Sequence, residues 1–283
     1  MSSNNLACLD VALFQDLVSL QVLYLNRNQL TSLNTFVFAN LSNLQVLYLN
    51  GNLLTSLDAA LFQGLENLQT LNLAHNQLIT LDPLQFENLF NLAYLYLSWN
   101  VLTILESPLF NLNNLKVLIL NNNQLASLDQ LLFASLNNLQ ILDLNLNKLT
   151  SLDSLLFKNL ANLGPLDLSY NHLTSLDPSL FENLSNLYWL NLSGNELSNL
   201  DPALFEHLSH LIYLDLNSNN LRNIAPSVFD SIGNKPLIYI YIYGNLVASS
   251  GLSSSYFCNG NTMCICYCSM NENNKFSPCS GKF

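Results

Sequence analysis

One asparagine recurs through the whole chain, at Asn28, Asn52, Asn76, Asn100, Asn123, Asn147, Asn171, Asn195, Asn219 and Asn245. The spacing is 24 residues, with one residue missing between Phe110 and Leu112 and two extra around Asn234 to Pro236. Asn4 starts the series in phase. By length alone, 283 residues would suit one or two globular domains. A fixed period overrides that prior, because it means a stack of equivalent units in which no unit folds alone.

Each unit reads L-x-x-L-x-L-x-x-N-x-L-x-x-L, then a turn carrying a phenylalanine, then a leucine three residues on. Leu44, Leu47, Leu49, Asn52, Leu54, Leu57, Phe62 and Leu65 show it in full. The L-x-L core has the period of two that marks a short strand with alternate side chains turned inward. Every turn travels the same way round, so successive strands lie parallel. The asparagine falls where strand becomes loop. Buried there, its amide can satisfy backbone groups of its own turn and the next, and its loss would leave groups unpaired at roughly 1–3 kcal/mol each. The repeated Phe14, Phe38, Phe62, Phe86, Phe110, Phe133, Phe157, Phe181, Phe205 and Phe229 predict an aromatic spine near the convex side.

Pattern and composition together resemble the leucine-rich-repeat superfamily, in its "typical" 24-residue class, with ten phased units over residues 4–247. The implied fold is an α/β solenoid: a right-handed curved horseshoe with a parallel concave sheet of about ten short strands. Loops and short helices make its convex side. Residues 1–19 read as an incomplete first repeat without an N-terminal cap, 20–247 as the repeats, and 248–283 as a Cys-rich tail or cap.

Strands tile about 4.8 Å apart while the convex turns need more room, so the strand face is concave. Its outward positions are the third, fifth, seventh and eighth of L-x-x-L-x-L-x-x-N, and no leucine rule constrains them. The N-terminal half presents Tyr24, Tyr48, Tyr94, Tyr96 and Trp99 there. The centre presents Ile119, Ile141 and Leu146. Beyond it come Asp143, Asp167 and Asp215, flanked by Tyr170, Trp189 and Tyr213, and then Tyr239 and Tyr241. Tyrosine and valine also favour strands for their own sake. A strip of this length, rich in the side chains that anchor interfaces, predicts a ligand-binding face. The three aspartates suggest a cationic patch on the partner. Calcium would need a closed oxygen cage, which neighbouring strands do not build. Gly164-Pro165 interrupts one strand; proline donates no ladder hydrogen bond, so a locally weakened strand is predicted there.

A net charge of −11 opposes nucleic acid and anionic membranes as partners. The apolar run Leu237–Ala248 is shorter than the roughly 20 residues of a membrane span. His75, His172, His207 and His210 fall at unrelated repeat positions with no recurring nucleophile and acid, so no enzyme activity, cofactor or metal is expected.

Similarity to extracellular members of the superfamily (Toll-like receptor ectodomains, small leucine-rich proteoglycans, variable lymphocyte receptors) implies recognition of a protein, or a glycan, outside the cell or at its surface. Cys258, Cys264, Cys266, Cys268 and Cys279 resemble a disulfide-bonded C-terminal cap, though the usual Asn-Pro-Trp lead-in is replaced by Gly244-Asn245-Leu246. Zinc is the rival for these thiols, but C-x-C-x-C lacks the usual C-x₂-C spacing. Cys8 lies far from them along the solenoid and is expected unpaired. Asn40 and Asn183 are candidate glycosylation sites; a glycan at the third sequon, Asn191, would obstruct the concave face. Met1-Ser2-Ser3-Asn4-Asn5 carries no signal-peptide features. The expected localisation is extracellular or at the cell surface, and cytoplasmic if no signal peptide lies upstream; the alternative function is an intracellular scaffold or regulatory adaptor.

Overall fold

The structure, a computed structural model, describes residues 1–107, 112–229, 232, 238–246 and 263–266. Nine L-x-L segments form three-residue strands: β1 (Val22–Tyr24), β2 (Val46–Tyr48), β3 (Thr70–Asn72), β4 (Tyr94–Tyr96), β5 (Val117–Ile119), β6 (Ile141–Asp143), β7 (Pro165–Asp167), β8 (Trp189–Asn191) and β9 (Tyr213–Asp215). β10 (Ile238–Tyr241) is one residue longer. An eleventh strand, β11 (Met263–Cys266), arises in the Cys-rich tail, which no repeat signal foretold. All lie parallel in one sheet, in chain order. The convex side holds two single 3₁₀ turns among the described residues, Pro83–Phe86 and Pro226–Phe229, and is otherwise built of turns.

The leucine positions are the core. Leu47, Leu49, Leu54, Leu65 and Leu68 have no exposed surface, and their equivalents repeat this from turn to turn. The ladder extends past the formal strands: the Leu25 N–H donates to the Tyr48 carbonyl at 2.8 Å and the Arg27 N–H to that of Asn50 at 2.8 Å. At the other end of the strand two N–H groups, of Gln45 and Val46, share the Gln21 carbonyl.

The asparagine works backward along the solenoid rather than forward. Asn147 Nδ2 donates to the Leu144 carbonyl of its own turn at 3.1 Å and to the Leu120 carbonyl of the preceding turn at 3.0 Å. Its Oδ1 accepts the N–H of Leu125, also in the preceding turn, at 3.1 Å. The expected link to the following turn is instead made by the next asparagine reaching back. At the N-terminal end, Asn28 finds Met1 O and Leu6 N in these places, so residues 1–19 fold as the rear half of a turn.

The phenylalanines stack along the convex side where ring contacts are described: Phe14–Phe38 at 6.3 Å, and Phe133–Phe157 and Phe157–Phe181 at 6.4 Å between centroids. Phe110 lies outside the described residues.

At Pro165 the strand is weakened as proline chemistry requires. Gly164 N–H reaches the Gln140 carbonyl at 2.9 Å, but the second donor that other turns supply is missing. β7 correspondingly pairs with β6 through Leu166 and Asp167 alone. Gly164 has a packing role: a Cβ there would stand 2.6 Å from the Tyr188 ring.

The end turn is less covered than its copies, with Leu13 and Leu17 at 40% and 45% exposure against 1% and 0% for Leu61 and Leu65. Cys8 is exposed and unpaired. Cys258, Cys268 and Cys279, and the side chains of Cys264 and Cys266, lie outside the described residues. No helix among the described residues is long and apolar enough to cross a membrane.

Candidate functional site

Leucine at the fourth strand position turns inward, so the third and fifth turn out, and parallel register lines them into two rows. The fifth-position row runs Tyr24, Tyr48, Asn72, Tyr96, Ile119, Asp143, Asp167, Asn191, Asp215, Tyr241. The third-position row carries Tyr94 and Ile141 on one side of the Pro165 break, and Trp189, Tyr213 and Tyr239 on the other. Each of the sixteen binding candidates, including Trp99, Leu146 and Tyr170 at the eighth position, is at least partly accessible on this face.

The rows form three patches. Tyr24 and Tyr48 meet edge to face at 5.1 Å. Burial first, and then the Tyr48 and Tyr94 phenols, push the pKa of the Tyr96 hydroxyl up. Farther along, Trp189 stacks on Tyr213 at 5.4 Å with 12° between planes, and Tyr213 continues to Tyr241 at 5.3 Å. The third patch is acidic. Burial, and then the neighbouring Asp167, raise Asp143 to about 6, against the single backbone bond from Asn145 that lowers it. Burial also raises Asp215.

Sequence reasoning missed three structural devices. The first is at the eighth position, where all ten turns from Arg27 on adopt positive φ, as does Ser3 at the start of the series. Gly51, Gly194 and Gly244 do so freely, whereas Arg27, His75, Trp99, Asn122, Leu146, Tyr170 and Ser218 sit at 51–55°. A side chain in that region costs roughly 1–2 kcal/mol. The conformation turns the chain so that the following asparagine points inward, and it carries the His75–Trp99 stack (5.3 Å) at the sheet margin. Trp99, Leu146 and Tyr170 are 53%, 45% and 59% exposed, so burial does not repay the strain. Leu146→Gly is accordingly expected to leave thermal stability unchanged or raise it by up to about 1 kcal/mol, where glycine in a strand or loop usually destabilises. A clear drop in melting temperature would show that Leu146 serves packing instead.

The second device is a convex asparagine ladder. Asn43, Asn67, Asn91, Asn114, Asn138, Asn162 and Asn186 each donate to a backbone carbonyl of the preceding turn. The third explains much of the charge. Asp10, Asp58, Asp82, Asp129, Asp153, Asp177 and Asp201 each accept the N–H two residues on and so cap the convex turns. Both signals stand in the sequence as an Asn before the first strand leucine and a recurrent Leu-Asp.

The histidines make local contacts only: His172 meets Glu196 at 2.9 Å and His210 the Ser185 carbonyl at 2.7 Å, all exposed. No three His, Cys, Asp or Glu side chains converge as a metal site among the described residues.

A leucine rich repeat family model matches residues 1–54, 42–102, 113–173, 140–197, 165–221 and 185–247. The chain belongs to the leucine-rich-repeat family. A search of curated proteins finds no match. Among solved structures this leucine-rich-repeat protein is similar to Toll in the Toll–Spatzle complex of Drosophila, with TM-score 0.82 and 29% identity over 89% of this chain and 34% of that one. An internalin of Listeria monocytogenes gives TM-score 0.69 and 28% identity over 83% of this chain and 64% of its own. TLR13, solved in complex with ssRNA13, gives 0.58 and 26% over 87% and 46%. The chain thus spans about a third of Toll and under half of TLR13.

Proposed function

We propose that this leucine-rich-repeat protein is a recognition module, receptor-like or adhesive, that binds a protein ligand on its concave sheet outside the cell or at its surface. One observation carries the reading: the fold leaves the outward positions free, and they hold Tyr and Trp side chains where solvent reaches them, one of them, Trp99, on strained backbone. Tyr and Trp supply large contact area at low entropy cost. Toll's partner in its complex is a protein, which supports the same class here. TLR13 was solved with RNA, but the concave positions of β2 to β10 contain no lysine or arginine to neutralise phosphates. Glycosylation at the exposed Asn40 and Asn183, and bridges within the tail cysteines, belong to this extracellular reading. Asn191 fits a glycan poorly, since it is half-buried within the concave row between Asp167 and Asp215, where a glycan would cover the face.

The test is an array of secreted proteins and glycans probed with wild type, Trp189→Ala, Tyr96→Ala and the convex control Lys158→Ala. Genuine ligands are lost by about tenfold or more in the first two variants and kept by the control. Equal signals from all three variants would remove the concave sheet from consideration.

A further inference from the structure

Five residues of the fifth-position row are Asn or Asp, and all make one bond. Asn72, Asp143, Asp167, Asn191 and Asp215 accept the N–H two residues on at 3.0, 3.0, 2.9, 3.0 and 2.9 Å. Asn72 and Asn191 show that the turn needs an oxygen there and no charge. Three positions nevertheless carry a carboxylate, two of them on the adjacent strands β6 and β7, where burial and the neighbouring Asp167 charge oppose ionisation of Asp143. Their charge is surplus to the scaffold.

The donors that the patch does receive are all uncharged. Asp167 Oδ1 also accepts the Ser169 hydroxyl at 2.6 Å and its Oδ2 the Asn145 and Asn191 amides at 3.3 and 3.5 Å, and Asp215 accepts the Tyr213 hydroxyl at 3.2 Å. Asp143 receives its backbone N–H and no side-chain donor, and the buried Oδ1 of Asn145 beside it has no partner. Asp143 is flanked on the sheet by Ile119 and Asp167, neither of which supplies positive charge. The outward positions of β6 to β10 hold no Lys, Arg or His. Bordering these acceptors is the π surface of the Trp189–Tyr213 stack.

Arginine matches this combination more fully than lysine. Its planar guanidinium offers five donors in a fixed fork and stacks on aromatic faces. We infer that β6 to β9 form the docking surface for an arginine-bearing, cationic segment of the protein ligand, with guanidinium groups held between the Asp167 and Asp215 carboxylates and the Trp189–Tyr213 face. The inference rests on the concave-sheet reading above and specifies the partner's chemistry. The convex aspartates supply an internal control, because they make the same local bond away from the concave sheet.

Two isosteric triple variants of the full chain separate place from charge. Asp143→Asn/Asp167→Asn/Asp215→Asn removes three negative charges from the concave patch. Asp58→Asn/Asp129→Asn/Asp153→Asn removes three from convex caps, and both retain the oxygen that accepts the backbone N–H. The probe is a dye-labelled peptide of alternating glycine and arginine, compared with its glycine–glutamine and glycine–lysine counterparts by fluorescence polarisation at physiological salt. Wild type should bind the arginine peptide about tenfold or more tightly than the glutamine peptide, and more tightly than the lysine peptide. The concave triple and Trp189→Ala should each lose most of that preference, while the convex triple stays within about twofold of wild type.

A melting temperature of the concave triple at or above wild type at neutral pH shows that lost binding is not unfolding. The sign follows from the raised folded-state pKa of Asp143: its stabilising protonation is present at low pH and lost as pH rises through about 6. Equal losses in both triples, or no preference for arginine over glutamine, would overturn the inference. If array ligands then still depend on Trp189 and Tyr96, the concave-sheet reading survives and only the cationic partner falls. If they do not, both fall together.

Discussion

Replacing Asn147 with aspartate should destabilise the protein by about 3–5 kcal/mol, although the side chains are nearly isosteric. Asn147 is 5% exposed and donates through one amide nitrogen to the carbonyls of Leu144 and Leu120. A carboxylate would keep the bond from the Leu125 N–H but would aim negative charge at two carbonyl oxygens. Neutralising it by protonation restores one donor at most. Asn147→Ala should cost about 2–4 kcal/mol, because it leaves the same buried backbone groups unpaired without adding charge. Asn28→Asp should cost less than Asn147→Asp, since two of its partners belong to the thinly packed first nineteen residues. Urea unfolding of the three variants gives the order directly. A loss under about 1 kcal/mol for Asn147→Asp would mean that water reaches the corner and the ladder is not structural.

The second large effect concerns the spine. Phe157 is fully buried and stacked on both sides, against Phe133 and Phe181 at 6.4 Å. Phe157→Ala should cost about 3–5 kcal/mol through lost transfer energy and the cavity left behind. Phe14 has a described stacking partner on one side, Phe38, and its turn has partly exposed leucines. Phe14→Ala should therefore cost roughly half as much, because less stacking is lost and the site can collapse. In a solenoid each unit contacts only its neighbours, so hydrogen exchange should show the Phe157 defect as lost protection centred on β6 to β8 rather than a uniform change. Uniform loss of protection would indicate that the chain unfolds as one cooperative block.

Net charge shows how far sequence reading carries. Counted as a whole, −11 speaks against phosphate-bearing partners. Seven aspartates prove to be caps of the convex turns, and this part of the charge reports on loop geometry rather than on any ligand. The three concave aspartates stand apart in the sequence by their strand position; the structure adds that they make the same turn bond as Asn72 and Asn191, which carry no charge. The convex asparagine ladder was open to sequence reading, since Asn43 and its equivalents recur with the period. Neighbouring leucines drew the eye because they dominate burial. Positive φ at the eighth position was not open to it. Seven of its ten occupants are Arg, His, Trp, Asn, Leu, Tyr and Ser, of which only Asn and His are enriched in that conformation.

The sequence by itself determined the period, the inward and outward faces of each strand, the burial of the leucines and the identity of every side chain on the concave rows. These follow from local pattern: a two-residue strand alternation and a 24-residue repeat leave one way to bury so many leucines. Tertiary structure alone decided that each asparagine reaches back to the preceding turn, that the tail contributes β11, and that the eighth residue is left-handed in every turn. It alone decided, too, that Trp189 stacks on Tyr213. The reason is distance along the chain. These relations join residues a whole turn or more apart, and their energies depend on the angle at which one turn meets the next, which no local preference encodes.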